Sequence, residues 1–184
     1  MQLHINQKEI DLTLLNTLDA DELFILTDQS RNYLRQWLPW LDQMKSVEDT
    51  RRFIDFSLKS YADNKSINVA IRYNEKMVGI AGFNELDWKS DIAKIGYWLA
   101  DVHQGKGIMT AVTKALIDYA FYELKLNKVE IRVAEQNHKS RQVPKRLGFV
   151  EEGRIRQAEK LYDLYVDHIV YGILADEWKK PTVI

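Results

Sequence analysis

The chain has no cysteine, which excludes disulfides, thiolate zinc sites, iron-sulfur clusters and any acyl-enzyme built on a protein thiol. Proline is scarce, occurring only as Pro39, Pro144 and Pro181, and the eight glycines form no Ser/Gly-rich linker. With no repeat at solenoid periods either, nothing divides the chain, and one domain over residues 1–184 is expected. Charge of one sign is also missing. The 27 acidic and 26 basic residues leave a net charge of -1, without the broad basic surface of a bulk nucleic-acid binder. No apolar run approaches the ~18 residues of a membrane span, and the opening MQLHINQKEIDLTLL lacks a basic segment leading into an apolar one. A soluble, cytoplasmic protein is therefore expected. What is present is apolar content: 46% hydrophobic residues in 184 positions is enough to fill one core.

Hydrophobic periodicity orders that content into elements. Residues 9–15 (EIDLTLL) read as a first strand and 19–28 as a short helix. Ser46, with Asp49 three residues later, opens a helix over 46–63 that carries Val47, Thr50, Phe53, Ile54 and Leu58 near helical spacing. SINVAIRY and KMVGIAGFNEL flank Asn74 and Glu75 as a hairpin, and IAKIGYWLA at 92–100 completes a meander. The period then changes. From Gly107, apolar residues recur at three- and four-residue steps to Leu124, a helix buried on one face. KVEIRVA at 128–134 is a strand again, so strand, helix and strand form a βαβ unit with parallel pairing, and the sheet is mixed. A short helix at about 138–147 stops at Gly148, and FVEEGRIRQA and LYDLYVDHIVYGIL supply two more strands.

The most informative stretch is HQGKGIMT, residues 103–110, between the third meander strand and the buried helix. A helix N-terminus offers free backbone N–H groups and a positive dipole end, and glycines let a phosphate approach that backbone. A tight turn with glycines for geometry alone is the plainer alternative. The dinucleotide fingerprint GxGxxG fails because Thr110 stands where its third glycine belongs, and the Walker pattern has no counterpart.

The stretch resembles the coenzyme-A loop of the GNAT N-acetyltransferase superfamily, Q/R-x-x-G-x-G/A, which Gln104 and Gly107 match while Met109 departs from it. The segments IGYWLADVHQGKGIMTAV, NHKSRQVPKRLGFVEEG and QAEKLYDLYVDHIVYGIL follow in the order and spacing of the RimL branch, the ribosomal-protein N-terminal acetyltransferases. SVEDTRRF is similar to that branch too, so the resemblance covers about residues 30–175. It implies an α+β or α/β GNAT fold, with a mixed central sheet of about seven strands splayed in the middle and flanked by helices.

The resemblance also implies roles. Acetyl-CoA is the implied cosubstrate, with Gly105, Lys106, Gly107, Met109 and Thr110 facing its pyrophosphate. Asn137 is expected on the pantetheine arm and backbone N–H near Trp98 and Leu99 at the oxyanion, while Lys139, Arg141 or Lys145 would reach the 3′-phosphate. Amide formation from a thioester needs a neutral amine and a proton for the departing thiolate. The branch places its base at the glutamate of QAE, here Glu159 in the turn between the last two strands, and its proton donor at the serine of N-x-x-S, here Ser140. Many relatives carry a tyrosine where this chain has Pro144, and Pro144 suits a helix starting near residue 141. The bland alternatives are a solvated Glu159, an N-capping Ser140 and a turn-forming Asn137.

His103 and His138 flank the expected site, but neither belongs to a ligand-pair motif, so each reads as a loop residue and no metal is expected. Tyr33, Trp37 and Trp40 fall on one side of a helix ending near Pro39, as core or, less simply, as the wall of an acceptor groove. The function implied is direct acetyl transfer from acetyl-CoA to the N-terminal α-amine of a protein, with ribosomal proteins as one candidate acceptor. The alternatives are a small amine such as a polyamine or aminoglycoside, and a non-catalytic acyl-CoA-binding module. Exposed strand edges make a homo-oligomer an expected partner arrangement.

Overall fold

A computed structural model describes residues 2–5 and 10–178, the first four as backbone only. Glu9, the first residue of the expected strand 9–15, lies outside the described residues. Eight strands form one sheet: β1 (Gln2–Ile5), β2 (Ile10–Leu14), β3 (Ile67–Tyr73), β4 (Lys76–Asp87), β5 (Ile92–Leu99), β6 (Lys128–Ala134), β7 (Val150–Leu161) and β8 (Leu164–Leu174). The helices are α1 (Ala20–Gln29), α2 (Arg31–Leu34), α3 (Val47–Ala62), α4 (Ile108–Asp118) and α5 (His138–Arg146). The spatial order is β1-β2-β3-β4-β5-β6-β8-β7, one strand more than the sequence reading gave, because Gln2–Ile5 pairs antiparallel with β2.

Local chemistry accounts for the boundaries. Ser46 caps α3, its hydroxyl accepting from the Asp49 N–H at 3.3 Å while the Asp49 carboxylate accepts from the Lys45 N–H at 3.0 Å. One orphan donor of the helix and the amide just before its cap are thus satisfied, and Ser46→Ala is expected to cost about 1 kcal/mol in urea unfolding with an unchanged m-value. Asn74 and Glu75 both take positive φ, 49° and 67°, as a two-residue turn that matches strand twist requires. The α4 helix does not stop at Asp118 but loosens into a wider turn over Tyr119–Glu123.

Alternation in β3 and β4 sends side chains to two cores, one on each face of the sheet. Val69, Ile71, Val78 and Phe83 join Val112, Leu116 and Ile117 of α4, while Ala70, Met77 and Ile80 meet Leu23 of α1 and Ile54 of α3. Because both faces are covered, these strands read as nearly continuous apolar runs. Arg72 of β3 ties α1 down through Asp19 at 2.7 Å and Glu22 at 2.9 Å.

The sheet opens at its centre. Strands β5 and β6 pair in parallel only from Ile92↔Lys128 to Ile95↔Ile131, and no pairing continues beyond. At that point Gly96 lies under the Asn84 side chain, which occupies a bulge of β4: a Cβ on Gly96 would fall 2.2 Å from Asn84 Nδ2. A bulge increases local twist, so β5 turns away from β6 where the bulge sits, and Gly96 is the residue that lets Asn84 lie there.

Candidate active site

The gap between the diverging strands is part of one cleft of about 1470 Å³. Its floor is β5 from Lys94 to Leu99 and β6 from Arg132 to Ala134. Its walls are the N-terminus of α4, helix α5, the segment that carries Tyr33, Trp37, Pro39 and Trp40, and Glu159 and His168 of the β7–β8 hairpin. Single-ligand pockets run ~300–1,000 Å³, so this cleft has room for more than one substrate at a time.

At the α4 end, Gly105 and Gly107 take φ of 75° and 71°, a left-handed conformation that glycine adopts freely. Gly107 is the N-cap, so the first N–H groups of an eleven-residue helix point into the cleft mouth. Gln104, Gly105, Gly107, Met109 and Thr110 line the cleft. Lys106 departs: its ammonium stands over the Tyr73 ring at 5.7 Å, and it is not among the lining residues. Of the three basic residues expected near a 3′-phosphate, only Lys139 lines the cleft, donating to Gln104 Oε1 at 3.1 Å. Arg141 is engaged elsewhere, with Tyr171 Oη at 2.8 Å and the Glu135 carbonyl at 3.0 Å, and Lys145 is exposed on the far side of α5 from the lining residues. Arg146, one residue on, does line the cleft.

On β5, the Ala100 N–H donates to the Val78 carbonyl across β4 at 2.9 Å, and a Cβ on Gly79 would meet the Trp98 carbonyl at 2.2 Å. Backbone groups alternate along a strand, so Trp98 addresses β4, and it is Leu99, with Tyr97 before it, that turns its N–H toward the gap. Of the pair expected at an oxyanion, Leu99 is the one so placed; Trp98 contributes its side chain to the wall.

Helix α5 starts at His138, three residues earlier than 141, with Asn137 as N-cap accepting from the Ser140 N–H at 3.1 Å. Ser140 is therefore not the cap. Pro144 stands seven residues into the helix, beyond the first turn. The Ser140 hydroxyl donates to Tyr97 Oη at 3.4 Å, and Tyr97 donates to the Ser140 carbonyl at 3.2 Å. Burial pushes the Tyr97 phenol well above its ordinary value, with the Ser140 hydrogen bond working the other way, so the phenol stays protonated at neutral pH.

Glu159 sits in β7 rather than in a turn; the turn is Tyr162–Asp163, between Leu161 and Leu164. A wide bulge between Ile155 and Glu159, with Gln157 at φ 49°, sets its position. Asp167 fixes the bulge, accepting from the Gln157 N–H and the Arg154 side chain, each at 2.7 Å, which hold its carboxyl below the usual range. Glu159 pairs with Val166 and so shares a face with His168 two residues on, at 3.4 Å from Oε2 to Nε2. His168 escaped the sequence reading because its facing depends on that bulge.

The aromatic set is wall, not core. Helix α2 ends at Leu34, which is buried, and Tyr33, Trp37 and Trp40 line the cleft half-exposed. Trp40 stacks on Phe53 with centroids 6.5 Å apart. The β7–β8 turn fastens this wall: Tyr162 donates to the Leu38 carbonyl at 2.8 Å, and the Arg35 guanidinium lies 3.8 Å over the Tyr162 ring. His103 lines the cleft beside Tyr73, with burial and then the Lys106 charge lowering its pKa. His138 is exposed outside the cleft. Among the described residues, no group of three or more His, Asp or Glu is arranged to hold a metal, and no helix is long and apolar enough to cross a membrane.

Comparison with known proteins bears on this geometry. A family model described as an acetyltransferase (GNAT) domain matches residues 10–150. A Bacillus subtilis protein named "Putative ribosomal N-acetyltransferase YdaF" is 37% identical over 174 residues, covering 94% of each chain. The ribosomal-protein-serine acetyltransferase of Escherichia coli is 32% identical, over 84% of this chain and 86% of its own. Among solved structures, the RimL ribosomal L7/L12 alpha-N-protein acetyltransferase in complex with coenzyme A superposes with a TM-score of 0.91. It is 25% identical and covers 96% of this chain and 99% of its own.

Proposed function

The chain belongs to the GNAT acetyltransferase family, and from that premise we propose that it transfers the acetyl group of acetyl-CoA directly to the N-terminal α-amine of a protein, with ribosomal proteins as the acceptor class. The observation that carries this is a single cleft that brings together the helix N–H groups at the start of α4 and a carboxylate beside aromatic walls. Two relatives that span most of the chain are named as ribosomal acetyltransferases, which supports the acceptor class.

In the proposed reaction, the α4 N-terminus with Gly105 and Gly107 binds the pyrophosphate, and Lys139 or Arg146 the 3′-phosphate. The pantetheine lies in the gap as an added strand beside β5, with Asn137 near its arm. A free α-amine has a pKa of ~8 and is mostly protonated at neutral pH, so Glu159 takes its proton directly or through water. The neutral amine attacks the thioester carbonyl, whose developing negative oxygen is met by the Leu99 N–H. The C–S bond then breaks, the thiolate takes the proton of the Ser140 hydroxyl, and the proton shed by the new amide nitrogen returns to the Ser140 oxygen. No residue is acylated, in keeping with the absence of cysteine.

A small polyamine would call for several free carboxylates, yet of the three that line the cleft Glu85 is tied to Lys94 at 2.8 Å and Glu159 lies 3.4 Å from His168. An acceptor of ribosomal origin places the enzyme in the cytoplasm. A homo-oligomer is part of the proposal: β7 is an edge strand, and Val150, Ile155, Leu164 and Tyr165 are exposed on its hairpin. Light scattering of the full chain tests that part. The test of activity is incubation with acetyl-CoA, ribosomal proteins, N-terminal peptides, spermidine and an aminoglycoside, followed by mass spectrometry. Acetylation confined to peptide α-amines is expected; acetylated small amines beside untouched peptides would replace the acceptor. Normal turnover by a Ser140→Ala, Glu159→Gln double variant would remove both assignments.

A further inference from the structure

The strongest feature left over by that reading is a side chain with no assigned part: Tyr97, on β5, in contact with a helix 43 residues further along the chain. In an α-helix each N–H bonds the carbonyl four residues back, so the Ser140 carbonyl is the partner of residue 144. That residue is Pro144, buried inside α5. Proline has no N–H, and its ring pushes the carbonyl of residue i−4 aside. The carbonyl left open belongs to Ser140, and the Tyr97 hydroxyl donates to it at 3.2 Å.

We propose that Tyr97 is the positioning residue of Ser140: its hydroxyl occupies, on the Ser140 carbonyl, the place of the N–H that Pro144 cannot provide, and so fixes the Ser140 hydroxyl at the gap. The two contacts fit one arrangement. With its proton committed to the carbonyl, Tyr97 presents oxygen lone pairs to the Ser140 hydroxyl 3.4 Å away. Asn137 holds the same residue from the other side by accepting its N–H at 3.1 Å. Ser140 is thereby held at its N–H, its carbonyl and its hydroxyl, by two residues on different elements. A group that delivers a proton within one turnover gains from such preorganisation, because small misplacements cost rate steeply. Strand β5 is well placed to supply the anchor: Tyr97 follows Gly96, where the sheet begins to part, so its ring packs with the α4-side core and its hydroxyl meets α5 across the opening.

This inference rests on the reading of Ser140 as proton donor, and the experiment separates the two. Full-length Tyr97→Phe, Tyr97→Phe/Pro144→Ala and Ser140→Ala are compared by thermal denaturation without ligand and by kcat and KM for acetyl-CoA. The acceptor for the kinetics is the ribosomal-protein N-terminal peptide set. Tyr97→Phe is expected to lower Tm and to lower kcat about tenfold or more with little change in KM for acetyl-CoA. Adding Pro144→Ala returns an N–H to the helix, and is expected to recover most of both losses. A double variant no better than Tyr97→Phe in either readout, or a Tyr97→Phe enzyme with wild-type Tm and kcat, overturns the proposal. Normal kcat in Ser140→Ala instead removes the donor assignment, and is read independently of the Tm rescue.

Discussion

Replacing Glu159 by glutamine is expected to lower kcat by about 10²–10³-fold at pH 7, with KM for acetyl-CoA nearly unchanged. Glutamine keeps the size of the side chain but loses the negative charge and with it the ability to take a proton. Glu159 belongs to strand β7 and not to the α4 turn proposed to bind the diphosphate, so coenzyme A binding is expected to be undisturbed. The pH dependence identifies the lost step. With an amine pKa of ~8, about one tenth of the acceptor is neutral at pH 7 and about nine tenths at pH 9. A base that deprotonates the amine is therefore needed less as pH rises, and the gap between wild type and Glu159→Gln narrows toward pH 9. A constant gap across that range would assign Glu159 to binding or structure. His168, 3.4 Å from Glu159, carries the matching control: if it orients the carboxylate, His168→Gln gives a smaller loss of kcat in the same direction.

The second large effect concerns Gly107. An aspartate at this position is expected to raise the acetyl-CoA KM by roughly a hundredfold, about 2.7 kcal/mol, and to abolish the heat of coenzyme A binding in calorimetry. The choice of aspartate separates binding from folding. Gly107 is at φ 71°, ψ 11°, a left-handed conformation that Asp and Asn tolerate better than other side chains. As N-cap of α4 it is also where a carboxylate favours the helix. The apo protein is therefore expected to stay folded with a Tm only a few degrees below wild type, while a fixed negative charge occupies the place of the diphosphate. Retained coenzyme A binding would show that the turn serves geometry alone.

Both predictions concern residues that the sequence singles out, but their surroundings were not legible there. Helices α3 and α4 and the β3–β4 hairpin announce themselves by period and by turn residues, because each buries one face against neighbours nearby in the chain. Glu159 was legible only as part of a resemblance, and was expected in a turn. The bulge that puts it inside β7 depends on Asp167 gripping Gln157 and Arg154, a long-range side-chain arrangement that alternation does not encode. The same bulge hid His168. Tyr97 and Ser140 meet because β5 leaves β6 after Ile95, and that parting traces to Asn84 over Gly96, a contact between strands. Trp37 and Trp40 looked like a buried helical stripe, yet α2 ends at Leu34 and the chain turns their rings outward to the cleft.

The clasp between the Tyr162 hydroxyl and the Leu38 carbonyl joins segments 124 positions apart at the rim of the acceptor mouth. Neither strand β5 nor the α4 turn takes part in it. Selectivity for incoming polypeptides can therefore diverge through changes at two surface loops, leaving the reactive interior intact: one catalytic chassis with an interchangeable doorway.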